Sequence, residues 1–373
     1  MGTYQILKVL ICTSLFLSAG PLKAGSKIDP DLKIGLVFPF SGPLAPWGKE
    51  VFNGASLALD EFHRQGKHIK LIKRDNAGME KRSATAAAEL FDRNRVHILM
   101  GGLSGTNARA MATVAEKKRR PMITPAAVNQ TVTGPDSWVF RSCLSEPEQG
   151  QLLGRFAATD LGINRPGVLL REGSTFGRRL AGEFEKHFTG NGRQMGPVVT
   201  FAADKKSIRS AIRQLKRAGV RLVFLPVWSK EVPEIIRTAR RSGLRAPFLG
   251  PDSWEGPGLG DHDWMDGNYF LTRFTSQDPD PRVRDFIRRF EERYHYKPGS
   301  PAAMGYDSMQ LILSAFNTVN SNRLAALQRG LAGIRCSSLG GTIVLNKKPD
   351  LNRSAVIMST TKKNPVYHKR ISI

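Results

Sequence analysis

KIGLVFPFSGPLAPWGKEVFNGASLALDEF, residues 33–62, is the stretch whose reading decides the fold. Ile34 to Phe38 form an apolar run with the length and composition of a buried strand. Pro39, Ser41, Gly42, Pro43 and Pro46 follow, which the interior of a helix or strand does not hold. From about Gly48, apolar residues recur at helical spacing: Val51, Ala55, Leu57, Ala58, Leu59 and Phe62. The order is strand, loop, helix. In an open α/β sheet such a loop lies at the carboxyl end of a strand, where ligands bind. It carries Trp47 between Pro46 and Gly48. Packing over the strand end is one role for that ring. A ligand-facing role is favoured, because binding residues concentrate on loops held by rigid elements.

The pattern repeats outward. A second strand spans His68 to Lys73 and a helix spans Ser83 to Phe91. A third strand, Val96 to Met100, runs into Gly101-Gly102-Leu103-Ser104-Gly105-Thr106, with a helix from about Asn107. Free amides and hydroxyls at such a helix start suit an anion, though many strand-to-helix turns look alike. A fourth strand, Met122 to Thr124, ends at Pro125-Ala126-Ala127-Val128-Asn129. Val139 to Arg141 break the rhythm, and it then restarts. Helix 149–160, strand 167–170, helix 178–188, strand 197–201, helix 207–218, the apolar run 222–226, a helix through Arg240 and strand 248–249 follow. These imply two α/β units with parallel sheets, and the cleft between them is the natural place for a small molecule. Beyond lie a crossing strand at Tyr269–Thr272, helices 281–294, 302–317 and 324–331, and edge strands at 354–359 and 366–373.

The chain has 373 residues, enough for two domains with cores of their own. Its balance of 56 Lys and Arg against 32 Asp and Glu gives a net charge of +24. Much of that charge sits on helix faces, such as Arg209, Arg213, Lys216 and Arg217, or Arg282, Arg284, Arg288, Arg289 and Arg293. No basic run interleaved with aromatics and no nucleic-acid motif occurs, so a basic solvated surface is the reading and no nucleic acid is expected. Lys8, the apolar Val9–Ala19 and the small residues before Gly25 read as a cleavable export signal, residues 1–24. Its loss, with Lys8 and Lys23, leaves +22. Cys143 and Cys336 remain, able to pair in an oxidising compartment only if the fold brings them together. Metal-spaced cysteines, HExxH, a P-loop and a Gly-x-Ser-x-Gly elbow are all missing from the sequence. His262, beside Asp261 and Asp263, reads as solvated loop. We expect a binding protein, no enzyme, and no cofactor.

Several short motifs together resemble the leucine/isoleucine/valine-binding protein family of periplasmic solute receptors, over essentially the whole mature chain. They are Ser41-Gly42-Pro43-Leu44-Ala45-Pro46-Trp47-Gly48 with Asn53-Gly54-Ala55, Gly101-Gly102-Leu103-Ser104, Thr124-Pro125-Ala126, Arg237 to Gly243, Gly250-Pro251-Asp252 and Gly340-Gly341-Thr342-Ile343. The resemblance implies two Rossmann-like lobes with parallel sheets, joined by three crossing segments, the type I periplasmic-binding-protein fold. It places lobe 1 at residues 27–141 and 270–335 and lobe 2 at 142–269 and 336–373. The crossings then fall near Arg141–Ser145, Tyr269–Arg273 and Arg335–Gly340.

It also implies a monomeric periplasmic protein that hands a small ligand to an inner-membrane ABC permease. The ligand would be a branched-chain type amino acid or a related metabolite. A sensing receptor of the same fold for an amide, amine or aromatic acid is the alternative. The implied ligand-binding residues are Trp47, Ser104, Gly105, Thr106, Ala126, Ala127, Val128, Phe176, Trp228 and Asp252. Trp47 lines the side-chain pocket and Asp252 faces the ligand ammonium, a charge-assisted contact. Phe176 and Trp228 stand where the family carries tyrosines. Gly105 and Val128 stand where it has a serine and a threonine for the ligand carboxylate, with Ser104 or Thr106 near enough to substitute. Gly78 and Ser104 occupy the positions of a disulfide found in some members.

Overall fold

A computed structural model of the protein describes residues 33–63, 69–128, 132–134, 136–190, 192–256, 259, 262–345 and 354–372. The expected export signal, residues 1–24, lies outside them. The quoted stretch becomes strand β1 (Lys33–Phe38) and helix α1 (Ala45–His63). β2 (Lys70–Asp75), α2 (Glu80–Asp92), β3 (Ile98–Gly101), α3 (Gly105–Lys118), β4 (Met122–Thr124) and β5 (Val139–Arg141) complete the first unit. Its five strands are parallel, in the order β2-β1-β3-β4-β5. One apolar cluster covers each face of this sheet.

The chain then crosses over residues 142–145 into α4 (Glu146–Arg155), which ends in one π-helical turn, Phe156–Asp160. β6 (Gly167–Arg171), α5 (Thr175–Thr189), β7 (Val198–Phe201), α6 (Lys205–Arg217), β8 (Val223–Phe224), α7 (Val232–Arg241), β9 (Phe248–Gly250) and β10 (Tyr269–Thr272) build the second unit. Its sheet runs β14-β13-β10-β9-β8-β6-β7, where β13 is Ser354–Ser359 and β14 is Val366–Ser372. β13 and β14 are antiparallel additions. Of these two, β14 is an edge, whereas β13 is flanked on both sides and its Ala355–Met358 are buried.

Two lobe boundaries differ from the sequence expectation. β10 hydrogen-bonds within the second sheet through Thr272, so the second crossing begins at Arg273, not at residue 270. Helices α8 (Pro281–Tyr294), α9 (Ser300–Val319) and α10 (Leu324–Ala332) then return to the first core. The hairpin β11 (Ile334–Ser338) and β12 (Gly341–Leu345) stays with them. Its Ile334, Leu339, Ile343 and Leu345 bury into the first-lobe cluster, so lobe 1 extends through Leu345 and does not end at residue 335. The expected third crossing at Arg335–Gly340 is instead part of this hairpin. Cys143 is buried, Cys336 is part-buried, and no disulfide joins the two.

Lobe 1 is closed by α1 lying backbone to backbone on α9. A methyl on Gly54 would sit 1.9 Å from the Ala302 carbonyl, and one on Gly305 would sit 2.0 Å from the Val51 carbonyl. Only glycine admits such an approach, and backbone cannot yield as a flexible side chain can. Val51, Ala55, Ala302 and Met309 fill the flanks, all essentially without exposed surface. We therefore expect Gly305→Ala to destabilise the protein by about 1–3 kcal/mol or more, as overpacking does. Urea unfolding checks this; an unchanged midpoint would show that the helices slide apart freely.

Candidate functional site

The carboxyl ends of both parallel sheets present the candidate residues. In lobe 1 the loop after β1 is fixed from below by Asp75, the last residue of β2. Its carboxylate accepts the Phe40 N–H at 2.7 Å, the Ser41 N–H at 3.3 Å, the Ser41 hydroxyl at 2.5 Å and the Ala77 N–H at 2.8 Å. Slight desolvation works against ionisation there, but these donors hold the carboxyl below its ordinary range. The Ala45 N–H donates to the Gly42 carbonyl at 3.0 Å, so α1 starts a turn earlier than hydrophobic spacing alone suggests. This places Trp47 in the first turn of α1 with 41% of its surface exposed, a high value for so large an apolar ring.

After β3, Ser104 caps α3, its hydroxyl accepting the Asn107 N–H at 3.2 Å and lying 3.1 Å from the Thr106 hydroxyl. Gly105 and Thr106 are exposed. After β4, the loop carbonyls are occupied. Buried Arg141 donates to the Ala127 carbonyl at 3.2 Å and the Val128 carbonyl at 2.9 Å. Ala126 and Val128 are half-buried, but Ala127 has no exposed surface and packs into the first-lobe core. Ala127 thus turns its methyl into the core and presents no side-chain surface to the cleft: counting along the motif does not reveal which way a methyl points.

In lobe 2, Phe176 lies in the first turn of α5 and Trp228 follows β8. Their rings stack with centroids 5.1 Å apart and planes 27° from parallel, and Trp228 is 52% exposed. Glu231 braces this wall, accepting the Trp228 N–H at 3.4 Å and pairing with Arg171. Asp252 follows β9 on a loop with a tightly determined path. A side chain at Gly250 would meet the Trp254 ring at 2.0 Å, so glycine is required there. Trp254 is fully buried and donates from its indole to the Leu225 carbonyl at 2.9 Å. The Ser253 hydroxyl donates to the Val227 carbonyl at 2.7 Å.

Asp252 is not a free anion. Its carboxylate lies 3.7 Å from Nε of Arg273, and its N–H donates to Oε1 of fully buried Gln149 at 3.2 Å. Burial pushes its carboxyl up, with Arg273 opposing. Arg273 opens the second crossing and touches both lobes: Nη1 donates to the Pro125 carbonyl at 2.8 Å, and Nη2 lies 3.0 Å from Sδ of Met304. Two further acids crowd it. Burial pushes Glu255 up to about 7 against the pull of Ser300 and Arg273. Burial also pushes Asp307 up to about 6, although it accepts the Leu339 N–H at 2.8 Å. Sequence reasoning missed Arg273, Gln149, Glu255 and Asp307; the one available signal was a charge directly after the apolar strand Tyr269–Thr272.

Known proteins share this arrangement. A family model described as periplasmic binding protein matches residues 31–363. The chain belongs to the periplasmic binding protein family. An amino acid binding protein of Pseudomonas aeruginosa is 23% identical over 351 residues, covering 91% of this chain and 92% of its own. The crystal structure of a leucine binding protein, LivK, from Thermotoga maritima superposes with a TM-score of 0.75 at 24% identity, covering 91% of this chain and 98% of that one. A solute binding protein from R. palustris, solved in complex with benzoate, superposes with a TM-score of 0.70 at 20% identity, covering 92% and 97%. At these identities the structures establish a shared fold. The shared fold is that of two α/β lobes, each built on its own sheet.

The buried acids give a pH dependence with a definite sign. A carboxyl raised by folding keeps a proton that the unfolded chain has released, so stability falls as pH climbs. For Glu255 the window runs from 4.5, its ordinary value, to about 7; for Asp307 it runs from 3.8 to about 6. The thermal midpoint is therefore expected to fall between about pH 4.5 and 7. Glu255→Gln should flatten the upper part of that fall. A midpoint rising through this range would contradict the assignment.

Proposed function

We propose that this protein is the substrate-binding component of an ABC transporter. It is exported to the periplasm as a monomer, captures a small ligand between its lobes and hands it to an inner-membrane permease. The observation that carries this reading is the pair of exposed tryptophans beyond the carboxyl ends of the strands, Trp47 on lobe 1 and Trp228 on lobe 2, the latter stacked on part-buried Phe176. A monomer that leaves such rings half in water has a use for them. Hinging about the three crossings brings the walls onto a ligand and excludes water. Thr106, Gly105 and the amides at the start of α3 offer donors to a ligand carboxylate. The ligand class is a branched-chain type amino acid or a related metabolite, with Asp252 toward the ammonium. The relatives' names, which include binding proteins for leucine, isoleucine and valine, support this class.

One observation favours a second reading, an aromatic acid without an ammonium. Arg273 already balances Asp252, and the Phe176–Trp228 stack suits a flat ring. A thermal-shift panel of the amino acids, amides, polyamines and small aromatic acids separates the two. A ligand at 100 times its dissociation constant adds about 2.7 kcal/mol, which raises the midpoint by several degrees. Trp47→Ala and Trp228→Ala should each abolish that rise while changing the ligand-free midpoint little, since both rings are substantially exposed. Asp252→Ala should abolish it only for ligands with an ammonium. Silence across the panel would contradict the proposal.

A further inference from the structure

The net charge of +24 is unevenly used. On α8, Arg282, Arg288, Arg289 and Arg293 each pair with a carboxylate, from Asp280, Asp285, Glu292, Glu61 or Asp60. Helix α6 is different. Its sequence, KKSIRSAIRQLKR, holds six basic residues and no acidic one. Ile208, Ala211, Ile212 and Leu215 face the sheet, leaving Lys205, Lys206, Arg209, Arg213, Lys216 and Arg217 exposed. Among the described residues none of these six forms an ion pair. Lys216 and Arg217 complement the helix dipole at its carboxyl end, but Lys205 and Lys206 sit in the first turn, where positive charge works against it. Helix stability therefore does not account for the pattern.

The placement is specific. Arg209, Arg213 and Arg217 recur every four residues, a row about 12 Å long. With Lys216 and Ser242 they line an open recess of about 450 Å³. Exposed Arg221 and Arg245 flank the carboxyl end of α6, each just before the strand it leads into, β8 or β9. The cleft residues Trp228 and Asp252 follow the opposite ends of those same strands. The carboxyl half of this basic α6 face, with Arg213, Lys216 and Arg217, thus lies toward the end of lobe 2 remote from the cleft, whereas Lys205 and Lys206 follow the carboxyl end of β7, on the cleft side. The residues between its cations are Ser207, Ser210 and Gln214, with no ring on which a nucleic-acid base could stack.

We propose that this face docks on an anionic phospholipid bilayer. The row of guanidinium groups meets headgroup phosphates, and the cleft stays open to ligand while the protein is held at the surface. Attraction of this kind acts within a Debye length, about 8 Å at physiological salt, so it is reversible and weakened by salt. Under the function proposed above, it would concentrate the receptor beside its permease, but the docking itself does not depend on that function.

Co-sedimentation of the purified protein with vesicles tests it. Vesicles of equal parts phosphatidylglycerol and phosphatidylcholine should retain the protein at low salt and release it at high salt, and phosphatidylcholine alone should not retain it. Arg213→Glu with Arg217→Glu should weaken retention by roughly ten-fold or more. Arg284→Glu with Arg288→Glu on α8, the same change in net charge, should leave most of it. Circular dichroism and the thermal midpoint show whether each variant is folded, and the wild-type measurement stands without them. Equal loss in both double variants would assign the effect to net charge and overturn the proposal. No retention by anionic vesicles, or tighter binding to duplex DNA than to vesicles at the same salt, would also overturn it.

Discussion

The structure depends on one guanidinium group. Arg273 stands where the chain leaves the second sheet for the first lobe, and it reaches back to Asp252 and forward to the Pro125 carbonyl and Met304. This part-buried arginine draws its partners from both lobes, with its Nε held by charge alone, 3.7 Å from Asp252 and without a hydrogen bond. The same group therefore joins the lobes and sets the charge of the cleft floor. It also explains why three acids gather at the crossing. Asp252 lies within ion-pair range of the cation, while Glu255 and Asp307 are pushed up in pKa by burial.

Above this floor the cleft is prepared by rigid supports rather than by the candidate residues themselves. Asp75 ties the Trp47 loop through three hydrogen bonds, Trp254 and Gly250 fix the path of the Asp252 loop, and Arg141 occupies the carbonyls after β4. These supports are short-range and buried or tightly bonded. The aromatic rings they hold out are exposed, which is the division of labour a closing trap requires. The α1–α9 contact through Gly54 and Gly305 does the same for the lobe as a whole, leaving motion to the crossings.

Much of the fold was legible because strand ends are punctuated by glycine and proline and helices by apolar spacing. Each strand of both parallel sheets was found in the sequence within a few residues, and the stretch 33–62 showed the ligand-side loop directly. The lobe boundaries were less legible. The alternation of Ile334, Ile343 and Leu345 marks a hairpin but not the core that will bury it, and α9 decides that. The burial of Ala127 was not legible for a related reason, since a small apolar residue in a motif carries no sign of its direction. Arg273 was invisible because its partners are 148 and 31 residues away, and no spacing rule spans such separations.

The joining of the lobes and the polarity of the cleft rest most directly on the coupling between Arg273 and Asp252. A double-mutant cycle in urea unfolding, with Arg273→Met, Asp252→Asn and both together, measures it. Each single change leaves a buried polar partner unmet, so the double variant should be more stable than the sum of the two losses implies. The expected coupling is about 1–3 kcal/mol. Additive losses would mean that the two groups do not sense each other, and that neither the joining of the lobes nor the polarity of the cleft rests on their contact.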